Sequence, residues 1–128
     1  MDLSNTVSVL GNYNNIPTEI SSEAVVISMI DGLTVTKTAD KMVWADGLLT
    51  YTIVINNKAD LSYTSPVITD ILDTTKVGFV NESVTINGVK AETSKYTYEE
   101  STGKLTITLD DITATGSTTI TFQVSKKA

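Results

Sequence analysis

Leu49-Thr50-Tyr51-Thr52-Ile53-Val54-Ile55 places an apolar residue at every second position and fills most of the remaining places with β-branched side chains. That is the two-residue period of a strand with one face buried and one face wet. The pattern recurs on both sides. Leu33-Thr34-Val35-Thr36-Lys37 precedes it, and Thr119-Ile120-Thr121-Phe122-Gln123-Val124 closes the chain with the same alternation. Between them lie Val67-Ile68-Thr69-Asp70-Ile71, residues 77–80, residues 83–86, Tyr96-Thr97-Tyr98 and Leu105-Thr106-Ile107-Thr108-Leu109. Asn87-Gly88 is a tight-turn dipeptide leading into Val89. Residues 99–104, with Gly103, read as the loop of a hairpin. Asn56-Asn57 reads as a turn, and Pro66 predicts that the strand after it lies at a sheet edge or begins beyond the proline. No window sustains a helical period. About seven short strands at this spacing predict an all-β antiparallel sandwich.

Composition narrows the functions. The chain has 128 residues, one domain's worth, and 41 % of them are hydrophobic, enough for a core. It contains no Cys, no His and no Arg. Thiol nucleophiles, disulfides, imidazole acid–base pairs and the guanidinium fork for phosphate are therefore absent. Nine Lys oppose fifteen acids for a net charge of −6, the wrong sign for a nucleic-acid binder. Catalysis would need paired carboxylates or an activated lysine, and no spacing suggests either, so no enzyme and no cofactor is expected.

Charge also divides the chain. Residues 1–32 carry Asp2, Glu19, Glu23 and Asp31 with no Lys, whereas all nine Lys lie beyond. Asn5, Asn12, Asn14 and Asn15 cluster in the same stretch, and Asp31-Gly32 is a turn-forming pair. The reading is an N-terminal arm over residues 1–32 and a sandwich domain over residues 33–128. The opening Met1-Asp2-Leu3-Ser4 has no basic n-region, and residues 24–30 are too short an apolar run to span a bilayer. The expectation is no membrane insertion, with a signal peptide either unused or missing from this chain.

Leu33-Thr34-Val35-Thr36-Lys37-Thr38-Ala39-Asp40, then Gly47 and Thr50-Tyr51-Thr52-Ile53-Val54-Ile55-Asn56-Asn57, resemble the opening of the DUF11 repeat domain family. Val67-Ile68-Thr69-Asp70, Phe79-Val80, Ser83-Val84-Thr85-Ile86-Asn87-Gly88 and Gly116-Ser117-Thr118-Thr119-Ile120-Thr121-Phe122 continue the resemblance in order, over residues 33–125. Leu72-Asp73-Thr74 departs from it where the family has a Pro-Gly-type turn. The resemblance implies an immunoglobulin-like sandwich, without catalytic activity, on a prokaryotic cell envelope. The family usually occurs in tandem repeats; this chain holds one copy and a leader.

That leader reads as two strand-capable segments, residues 3–10 and 20–30, joined by a soft connector over residues 11–18. Strands must pair, and a flexible arm can pair with a neighbour's sheet as well as with its own. Leu3, Val7, Val9 and Leu10, with Val25, Ile27 and Met29, are the expected subunit-interface residues. The expected partner is a further copy of the chain, and the expected product is a filament at the cell or spore surface. The rival expectation is a monomeric adhesin whose Trp44 and Tyr63 loops bind a surface glycan or host surface.

Three smaller expectations concern chemistry. Asp110-Asp111, Glu99-Glu100, Asp70 and Asp73 are candidates for a calcium site, although solvated surface acids fit them better and no metal is expected. Lys37 is a candidate for an isopeptide bond to Asn56, Asn57 or Asn81. Asn81-Glu82-Ser83 matches a glycosylation triplet.

Overall fold

The computed structural model describes residues 7–21, 32–40 and 47–127. Two antiparallel sheets pack face to face, so the chain is an all-β sandwich. In one sheet the order is β2-β1-β5-β10-β9, built from β1 (Val7–Tyr13), β2 (Ile16–Ser21), β5 (Tyr63–Ile71), β9 (Tyr96–Glu99) and β10 (Lys104–Thr108). In the other the order is β3-β4-β11-β7-β8, from β3 (Leu33–Ala39), β4 (Leu48–Asn57), β7 (Thr85–Ile86), β8 (Val89–Lys90) and β11 (Ser117–Lys126). Strand β6 (Val77–Phe79) also pairs with β11. A single 3-10 turn, Thr93–Lys95, precedes β9.

The alternation read from the sequence is the alternation of burial. Along β4, Leu49, Tyr51, Ile53 and Ile55 point inward; along β11, Ile120, Phe122 and Val124 do so. These two ten-residue strands pair from Ser117↔Asn56 to Ser125↔Leu48 and form the spine of their sheet. Ile68, Leu105 and Ile107, all fully buried, cover them from the opposite sheet. Each such side chain contributes about 1.5–3 kcal/mol on leaving water.

The described residues hold eleven strands where about seven were expected. The leader supplies two, and β7 and β8 are two-residue ladders around Asn87-Gly88. Asn87 and Gly88 both have positive φ, as the turn requires. The β9–β10 hairpin forms as read, with Lys104↔Glu99 next to its loop.

Two expectations are corrected. Strand β5 is central, flanked by β1 and β10, although it contains Pro66. The proline is accommodated by a bulge: Leu10 pairs with Val67 and Asn12 with Thr64, so Ser65 and Pro66 face Gly11 alone. Ser65 takes the positive φ of 51°, and the Pro66 carbonyl still accepts from the Leu109 N–H. Asn56-Asn57 is not a turn, because β4 runs through both. The fully buried Asn57 side chain does the turn's work instead, donating to the Leu61 and Ile112 carbonyls and accepting from the Ala59 N–H.

Candidate functional site

Strand β1 fills a slot along β5. Its register runs Val7↔Asp70, Ser8↔Thr69, Val9↔Ile68 and Leu10↔Val67, and after the bulge Asn12↔Thr64 and Tyr13↔Tyr63. Period-2 geometry sends Val7 and Val9 into the core, where both are fully buried, and turns Leu10 outward, 52 % exposed. Of the expected interface residues, then, Val7 and Val9 are brought together in the core of their own chain and Leu10 stands apart on the opposite face. Leu3, Val25, Ile27 and Met29 lie outside the described residues.

The connector over residues 11–18 is corrected as well. It is a hairpin, not a soft link: β1 pairs with β2 from Ser8↔Ser21 to Tyr13↔Ile16. Asn14 and Asn15, with φ of 52° and 62°, form its two-residue turn. Asn tolerates left-handed backbone better than other non-glycine residues, which explains the Asn pair at this place. Residues 7–21 are thus paired within the sheet of their own chain, with β2 as its edge strand.

Tyr63 locks the slot. Its ring is fully buried, and its hydroxyl donates toward the Thr18 carbonyl at 2.7 Å and the Val9 carbonyl at 3.1 Å. One side chain of β5 thereby holds both strands of the hairpin. Burial pushes the Tyr63 phenol well above its ordinary value of 10.0; a Gly11 backbone hydrogen bond opposes this and the Glu19 charge adds to it. Gly11 lies against the ring, and a Cβ there would stand 2.8 Å from two of its carbons. Thr64 Oγ1 donates to the Asn12 carbonyl, and the Leu61 N–H donates to the Tyr13 hydroxyl. A buried Tyr63 cannot serve as an exposed sugar-stacking platform, which corrects that expectation. Trp44 lies outside the described residues.

Lys37 occupies the third inward position of β3, after Leu33 and Val35. It reaches across the interior to Asp70 of β5, with Nζ 2.5 Å from Oδ2 and the two side chains 4 % and 0 % exposed. The rings of Tyr51 and Phe122 lie 4.2 and 5.4 Å from Nζ. Burial lowers the Lys37 pKa from its ordinary value, outweighing the charge and hydrogen bond of Asp70. The partner of Lys37 is thus Asp70, not Asn56, Asn57 or Asn81. Sequence spacing offered no sign of this pairing, since it joins two sheets.

The remaining acids have local work. Asp73 Oδ1 accepts from the backbone and hydroxyl of Thr75, and its carboxyl is held below the usual range chiefly by those bonds. Asp111 accepts from the Ser65 N–H, and Asp110 lies 3.8 Å from the Lys95 ammonium. Among the described residues no three acids gather as a metal site, and no helix is long and apolar enough to cross a membrane.

No family model, no curated protein and no solved structure matches the chain.

Proposed function

We propose that the chain is a structural subunit that polymerises into a filament at a prokaryotic cell or spore surface, its N-terminal hairpin filling the β5 slot of the next copy. The observation that carries this reading is the place of the hairpin. Among the described strands, the ladders of β1 run to β2 on one side and β5 on the other, and β2 is the edge strand, so the pair is set on the flank of the sheet. Without it, β5 would expose the core faces of Ile68 and Tyr63 and an open ladder edge, which invites strand addition. Exchange of an identical element between copies reproduces every contact at little cost, and a head-to-tail exchange extends without closing. Eleven residues, 22–32, separate the hairpin from β3, and a connection of that length can span at most roughly 40 Å. The DUF11 resemblance points to the same setting, an immunoglobulin-like module of the prokaryotic envelope.

A cross-strand disulfide tests the reading. Ser8 and Thr69 are paired residues on the outer face, and the chain has no cysteine of its own. In the double variant Ser8→Cys, Thr69→Cys, oxidation after assembly covalently joins β1 to whichever β5 it occupies. A ladder of multimers on a non-reducing gel, with filaments in electron micrographs, is the expected result. Oxidation to monomer alone overturns the reading.

A further inference from the structure

We propose that Lys37 and Asp70 condense to an intramolecular amide that bolts the two sheets together. The pair has the required reactants in the required place: a primary amine and a carboxyl group in contact, each on a strand, each shut away from water. Lys37 leaves the edge strand of one sheet and Asp70 sits on the central strand of the other, opposite Val7 and Leu105. Pairing with β4 fixes the Lys37 backbone and pairing with β1 and β10 fixes that of Asp70, so the groups are held as partners within one molecule. Such fixed intramolecular partners react with effective molarities of roughly 10⁵–10⁸ M. The starting state is an ion pair in an apolar interior, where desolvation opposes both charges. The product is neutral, and the other product is a water molecule that leaves for the solvent.

The step balances without a further reagent. Proton transfer from the ammonium to the carboxylate gives a neutral amine and a carboxylic acid, a direction favoured by the burial that lowers the Lys37 pKa. The nitrogen lone pair then adds to Asp70 Cγ and forms the C–N bond. A second proton passes from nitrogen to a hydroxyl of the tetrahedral centre. The C–O bond breaks with its electron pair on oxygen, and water departs. Tyr51 and Phe122 enclose the nitrogen and exclude the bulk water that would reverse the reaction.

Intact mass and peptide mapping of the folded full-length chain, after prolonged incubation, test the proposal. The expected result is a chain one water lighter than its sequence, with Lys37 resistant to trypsin and a branched peptide joining it to Asp70. Asp31-Gly32 and Asp46-Gly47 can lose the same mass by forming succinimides, so Lys37→Met is measured alongside. The deficit should vanish in that variant. A second arm, Asp70→Asn, should give the same amide with loss of one ammonia. Full sequence mass with ordinary cleavage after Lys37 overturns the proposal. So does a water deficit that persists in Lys37→Met or maps to an Asp-Gly pair.

Discussion

Gly11 and Tyr63 act as one unit, because the absence of a side chain at one makes room for the ring of the other. Gly11→Ala should cost about 1–3 kcal/mol through overpacking against a ring that has nowhere to go. Chemical denaturation of the variant reads this directly. Tyr63→Phe keeps the ring and removes the hydroxyl that serves the Thr18 and Val9 carbonyls. Leaving buried carbonyls without that donor should cost about 1–3 kcal/mol. The same residue sets an alkaline limit. Its folded pKa is raised, so the unfolded chain releases the phenol proton first, from pH near 10.0, while the folded chain retains it. Tyr63's stabilisation is thus whole below that pH and is lost as pH climbs above it. Melting temperatures taken through this range should fall more steeply for the native chain than for Tyr63→Phe.

At the scale of elements, what was legible in the sequence was local. Alternation located β4 and β11 because one sheet face is buried, and Asn87-Gly88 located β7–β8 because few dipeptides accept two positive φ values. Pro66 misled because its usual penalty, a lost ladder bond, is avoided when a bulge takes up the residue, and a bulge depends on the partner strand. Asn57 misled because its side chain imitates a turn from within a strand. The Lys37–Asp70 pair was invisible for the same reason: β3 and β5 belong to different sheets, and only packing brings them together. The Asn57 network offers a check on an element boundary. Asn57→Ala removes three hydrogen bonds that join the end of β4 to Leu61 and to the Ile112 bridge with Tyr63. A loss of about 1–3 kcal/mol is expected, since the buried Ile112 carbonyl loses the Asn57 donor. Faster hydrogen exchange at Ala59 and Ile112 should accompany it.

The whole molecule carries −6, with four of its negative charges concentrated in residues 1–32. In the proposed filament, copies that exchange this acidic stretch bring like charges together, and salt screens that repulsion over about 8–10 Å at 0.1–0.15 M ionic strength. Filament growth followed by light scattering should therefore accelerate with added salt, and should be slowest in dilute buffer. The order of the six-stranded sheet has a different consequence, one for biosynthesis. β4 has β3 beside it on one flank, but its other neighbour is β11, the last of the described strands to be translated. Ile53 and Ile55 must wait, exposed, until Ile120 and Phe122 are translated, so the domain cannot mature piecemeal from its N-terminus. Nascent chains stalled before Ser117 should remain open to protease, with resistance arriving in a single step once β11 emerges.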